Sequence, residues 1–161
     1  MIFGSDNQGG ASDAVLAGLA DAFRSTASAY GTDEYCAAAE EKLKQVFDTD
    51  LKAFFVVSGT ASNTLALSTM TRPWEGIICH HQAHIILDES SGPALFSGGA
   101  SLLPAPTREV KLDAAGLATM LERLPNEVPH NIRPAALSIS QASECGQVYT
   151  PDEVRSLTEF A

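Results

Sequence analysis

Lys52-Ala53-Phe54-Phe55-Val56-Val57-Ser58-Gly59-Thr60-Ala61-Ser62-Asn63 is the stretch on which the reading of this chain turns. Its first half, Lys52 to Val57, is an apolar and aromatic run bounded by polar residues, the pattern of a buried strand. Its second half is a turn of small residues leading into a helix, predicted over 61–71 and stopped by Pro73. Such a turn exposes the first N–H groups of the helix, which lack partners within it and sit at the positive end of its dipole. Ser58, Gly59 and Thr60 are therefore candidate phosphate binders, with glycine allowing close approach and the hydroxyls adding donors. The pattern matches neither the longer P-loop nor the dinucleotide glycine motif, so ordinary nucleotide binding has weak support. The competing reading is a plain strand-to-helix turn capped by Ser58 or Thr60.

Working outward, Ser12 can cap a helix running to about Ala29, with Val15, Leu16, Leu19 and Phe23 at helical spacing. Asp33 can open a second helix whose Leu43, Val46 and Phe47 share a face. Strands are predicted at 76–79, 100–103 and 134–140. A helix follows Leu112-Asp113 and carries Leu117, Met120, Leu121 and Leu124. Thr150-Pro151-Asp152-Glu153 combines a threonine N-cap, proline at the first helical position and glutamate three residues on, a capping box. Strands alternating with helices predict an α/β three-layer sandwich around a mainly parallel sheet. The last helix runs to Phe160-Ala161 with no strand after it, so the chain is expected to be the first part of a larger protein.

Composition narrows the function. The 161 residues are 45% hydrophobic and 19% charged, enough for a folded core. Twenty acidic against ten basic residues give a formal charge of −10 and argue against a nucleic-acid or anionic-membrane binder. Cys36, Cys79 and Cys145 form no CxxC, which speaks against a disulfide framework or a cysteine-rich zinc module. No signal peptide is evident at Met1, and no apolar run approaches the ~20 residues of a bilayer span, so a cytoplasmic setting is expected.

Two further segments are rich in chemistry. Cys79-His80-His81-Gln82-Ala83-His84 follows a predicted strand, where α/β proteins place ligand-contacting loops. His81 and His84 are conceivable zinc ligands, but no fourth ligand has motif spacing and HExxH is absent. Alternatively one imidazole lies flat against an aromatic cofactor, near the reacting atoms as an acid or base; solvated loop histidines are the bland option. Gly4-Ser5-Asp6-Asn7-Gln8-Gly9-Gly10 suits a polar clamp, but reads more simply as an unordered terminus.

Taken together, the chain resembles the low-specificity threonine aldolases among the fold type I, aspartate-aminotransferase-like pyridoxal-phosphate enzymes. The resemblance rests on FGSDNQGG at 3–10, YGTD at 30–33, FFVVSGTASN at 54–63 and AH at 83–84 with LDES at 87–90. It continues through FSGGASLLP at 96–104, His130 and PAALSISQASECGQVYTPDEV at 134–154. It implies that residues 1–30 are an N-terminal arm and helix and 31–161 an incomplete cofactor-binding large domain, with the C-terminal small domain absent.

By the same resemblance Gly59 and Thr60, with Ser58, hold the phosphate of pyridoxal 5'-phosphate, and Asn63 lies just behind. His84 stacks on the pyridine ring, Gln141 lies near the cofactor's ring oxygen, and His130 approaches the substrate hydroxyl. Ser5 lies near the substrate carboxylate, and Tyr30 with Gly31 belongs to a site built in a homodimer or homotetramer. The activity implied is cleavage of threonine or allo-threonine to glycine and acetaldehyde, with no metal. The family draws its cofactor-bonding lysine, pyridine-nitrogen aspartate and carboxylate-binding arginine from downstream segments. Lys42, Lys44, Lys52 and Lys111 match none of these, so the chain alone is expected not to bond the cofactor. Alternatives are another amino-acid β-eliminating lyase, a non-catalytic α/β module that associates with a partner and, last, a zinc hydrolase.

Overall fold

A computed structural model describes residues 8–125 and 130–161. It divides into two compact units between Phe55 and Val56. No helix among the described residues is long and apolar enough to cross a membrane.

The first unit carries α1 (Asp13–Ala22) and α2 (Glu34–Phe47). Both start where the sequence places a cap: Ser12 Oγ accepts from the Val15 N–H and Asp33 Oδ1 from the Cys36 N–H. α1 ends well short of Ala29. Ser25, Thr26 and Ser28 follow it, residues that compete for backbone hydrogen bonds and favour turns over helix interiors. Val15, Leu16, Leu19 and Phe23 stay exposed along α1.

The expected strand over 52–57 is not formed. The Ala53 N–H donates to Glu40 Oε2 at 3.2 Å, a side chain of α2 that also pairs with Lys52 Nζ at 2.8 Å. Phe54 is 83% exposed and Val57 100%. A strand needs a neighbouring strand for its ladder, and no described strand pairs with this segment.

The second unit is the α/β body. Its elements are α3 (Gly59–Met70), β1 (Glu75–Cys79), α4 (His84–Leu87), α5 (Gly92–Ser97), β2 (Ser101–Pro104), α6 (Ala114–Glu122), β3 (Arg133–Leu137) and α7 (Pro151–Phe160). The three strands pair in parallel in the order β2-β1-β3, which makes β1 the centre. Alternation along β1 explains the layering, because successive side chains of a strand point to opposite faces. Ile77 and Cys79 pack with Leu67 of α3 and Ile85 of α4. Ile78 packs with Leu117 and Met120 of α6 and Leu157 of α7. Each face of the sheet thus has its own core, and the α/β sandwich around a parallel sheet is what the structure shows.

Gly76 in β1 sits where a side chain would force its neighbours Leu103 and Ile132 to shift. A Cβ there would stand 2.3 Å from Leu103 Cδ1 and 2.9 Å from Ile132 Cγ2. α4 and α5 have no counterpart among the predicted helices; at 4 and 6 residues they are too short for a hydrophobic period to register. The capping box of α7 is complete: Glu153 N–H to Thr150 Oγ1 at 3.2 Å, and Thr150 N–H back to Glu153 Oε2 at 2.7 Å.

Ile77→Ala, which empties a fully buried site under α3, is expected to cost about 2–5 kcal/mol. Thr150→Ala, which removes one surface cap, should cost about 1 kcal/mol. Urea unfolding monitored by circular dichroism gives both values, and the ranking fails if the cap variant is the more damaging.

Candidate functional site

The carboxyl end of β1 points into the loop His80–Ala83, and β3 ends in the loop that carries Ser140 and Glu144. Ligands of open α/β sheets gather at this end of the strands. His80 is buried and spent on structure: its Nδ1 accepts from the Gln82 N–H at 3.1 Å and its Nε2 faces the Glu109 carbonyl at 2.9 Å. His84 opens α4 and differs, with 52% of its side chain exposed and Nδ1 2.8 Å from Glu89 Oε1. Its main-chain N–H donates to Glu144 Oε1 at 2.7 Å, an oxygen that also accepts from Ser140 Oγ.

α3 supplies the second half of the site. Ser58 is its N-cap and takes the Ala61 N–H on Oγ at 3.1 Å. The Gly59 and Thr60 N–H groups, ahead of the first intrahelical bond, have no partner among the described residues. A Cβ on Gly59 would meet nothing within 4 Å, so the ground above these donors is open. Unpaired N–H groups at a helix start, next to the Thr60 hydroxyl, suit a phosphate ester even on an acidic protein. Asn63, one turn further along α3, donates Nδ2 to Glu89 Oε1 at 2.7 Å, the same oxygen that meets His84.

The remaining predicted site residues are placed elsewhere. Gln141 is already engaged: its Oε1 accepts from the Tyr149 N–H and its Nε2 donates to the Tyr149 carbonyl, both at 2.8 Å. This clasp uses one donor and one acceptor of the exposed amide and leaves its second N–H for another oxygen. His130 precedes β3 and shares an open hollow with Trp74, Glu75 and Ser101, at the amino end of the parallel strands. The sheet therefore stands between His130 and the His84 end, and one copy of the chain does not bring the two together. Tyr30 belongs to the first unit, fully exposed at φ 63° with Gly31 at φ 72°, where two left-handed residues turn the chain towards α2. Ser5 lies outside the described residues.

Two residues that the motifs did not single out organise the site. Glu89 is completely buried, and only its place in LDES, five positions after His84, hinted at a role. Glu144 lies in the matching stretch 134–154 and gave no signal beyond that and its acidity. Burial pushes the Glu144 carboxyl up, but bonds from Ser140 Oγ and from its own and the His84 N–H, with His80 nearby, outweigh it and hold the group below the usual 4.5. At the end of β1, burial and the neighbouring Glu144 charge push the Cys79 thiol up to about 11. Lys111, alone among the lysines after residue 55, pairs with Glu153 Oε1 at 2.5 Å. Among the described residues no group of three or more His, Cys, Asp or Glu is placed to hold a metal.

The family model for beta-eliminating lyases matches residues 3–161. The chain belongs to the beta-eliminating lyase family. Among curated proteins it is similar to the low specificity L-threonine aldolase of Pseudomonas aeruginosa, 36% identical over 156 residues, which are 97% of this chain and 44% of that protein. A Pseudomonas sp. protein of the same description is 35% identical over the same share. Among solved structures, Leishmania major threonine aldolase superposes with a TM-score of 0.89 at 27% identity, covering 97% of this chain and 45% of that one. The chain thus spans less than half the length of these beta-eliminating lyase relatives.

Two outcomes follow from the electrostatics. Cys145 is exposed and should react promptly with a thiol reagent at pH 8, whereas Cys79 should react only on unfolding; mass spectrometry of the labelled peptides separates them. Because the folded Glu144 value is depressed, its stabilisation is complete above the ordinary 4.5 and is lost as pH falls through the lowered value. Glu144→Gln should therefore flatten the acid side of the stability profile, and an unchanged acid limb would contradict the assignment.

Proposed function

We propose that the protein acts in pyridoxal-phosphate-dependent cleavage of threonine or allo-threonine to glycine and acetaldehyde, with this chain supplying one half of the site. The observation that carries the reading is the pairing of open N–H donors at α3 with an exposed imidazole at α4, joined through one buried carboxylate. The likeness to proteins described as threonine aldolases supports it.

The donor set fits the cofactor. Gly59, Thr60 and the Ser58 turn would hold its phosphate, and His84 would lie against its ring. When bound, the cofactor withdraws electrons from the substrate Cα as the bond to Cβ breaks. The chain's own contribution is positional and acid–base. A gripped phosphate and a fixed imidazole hold the substrate in one orientation, which lowers the entropic part of the barrier. The His84 imidazole, set beside the ring, would take the β-hydroxyl proton as the aldehyde departs. Ser5 and Tyr30 belong to the substrate side of the same reading, which also includes a cytoplasmic homodimer or homotetramer.

The family name also admits another β-eliminating lyase. The complete holoenzyme that contains these residues, supplied with threonine, is expected to release acetaldehyde and glycine. Pyruvate from a different amino acid, without acetaldehyde, would favour the rival lyase. Neither product, and no cofactor absorbance, would leave a non-catalytic module. Thr60→Ala should weaken cofactor binding about tenfold or more, the worth of a hydrogen bond to a charged group, read by titrating the cofactor's visible absorbance.

A further inference from the structure

Glu89 is buried at a cost that its bonding does not recover. None of its side chain is exposed, and its partners are a neutral amide and an imidazole. Its second oxygen, Oε2, is buried without a hydrogen-bond partner among the described residues. An unsatisfied buried polar atom costs about 1–3 kcal/mol. Folding alone would favour an apolar side chain of the same volume at this place. The arrangement makes sense as a constraint on the ring beside it.

We infer that Glu89 is a positioning residue for His84: its Oε1 receives the Nδ1 proton, fixes the neutral imidazole as the Nδ1–H tautomer and leaves Nε2 as a bare acceptor facing outward. The partner of one ring nitrogen decides the state of the other. Oε1 also binds Asn63, one turn beyond the Gly59 and Thr60 donors on α3. Ring and phosphate-facing helix are therefore tied to one atom, which keeps their spacing fixed. Glu144, from the loop after β3, meets only the main-chain N–H of His84 and leaves the ring to Glu89. The proposal rests on the reading above only for the use of Nε2, which becomes the atom that takes the hydroxyl proton.

His80 provides an internal contrast. Its Nδ1 accepts from an N–H and its Nε2 faces a carbonyl, so its neutral ring must carry the proton on Nε2. Protein labelled with ¹⁵N-histidine, studied by two-bond ¹H–¹⁵N correlation at a pH where the rings are neutral, should show opposite tautomers for His84 and His80. Glu89→Ala should return the His84 pattern to that of free histidine while His80 keeps its own, which reports that the fold persists. In the complete holoenzyme the same variant should lose about tenfold in kcat with a smaller change in KM. A wild-type His84 protonated on Nε2, or a tautomer unmoved by Glu89→Ala, overturns the inference. The wild-type spectrum decides even if the variant does not fold. Neither result touches the aldehyde-lyase reading, which stands or falls on aldehyde release.

Discussion

Residues 75–79 are paired in parallel on both edges and pressed between helical layers on both faces. That double burial is the condition for everything at the candidate site. With Ile77 and Cys79 held on one side and Ile78 on the other, β1 can neither slide nor rotate by one residue without turning its side chains out of their cores. The loop that leaves its carboxyl end therefore starts from a fixed point and direction. His80 anchors that loop by both ring nitrogens, and His84 emerges four residues later with its ring half in solvent.

Local physics was legible in the sequence. Ser12, Asp33, Ser58, Asp113 and Thr150 each cap the helix that follows, because a cap depends only on a side chain and the next three N–H groups. What depends on distant partners was not. The run 52–57 has the composition of a core strand, yet its Ala53 N–H goes to Glu40 and its aromatics face outward. Composition reports what a segment could bury, not whether a ladder is available to it.

The site divides in the same way. The turn at Ser58, Gly59 and Thr60 and the imidazole of His84 belong to short motifs that the sequence singles out, and the structure sets them at the starts of α3 and α4. Glu89 has only its place in LDES to mark it, since an acidic residue in a polar stretch looks like solvated surface until tertiary packing encloses it. Gln141 and His130 illustrate the converse. Each lies in a matching motif, but the Gln141 amide gives one donor and one acceptor to Tyr149, and the His130 ring sits at the far end of a parallel sheet. Sequence adjacency to a strand does not say which end of it a residue occupies; strand direction does.

The Gln141 clasp works as a measuring device. By gripping both main-chain groups of Tyr149, it closes residues 141–149 into a loop of set circumference, braced inside by Ser143 against Gly146 and Gln147. Glu144 rides on that loop, and its reach to the start of α4 is thereby gauged in whole residues. Side chains on the circumference that make none of these bonds are open to exchange, but an insertion or deletion there would move the carboxylate by a full residue step and break its grip on the helix that carries His84.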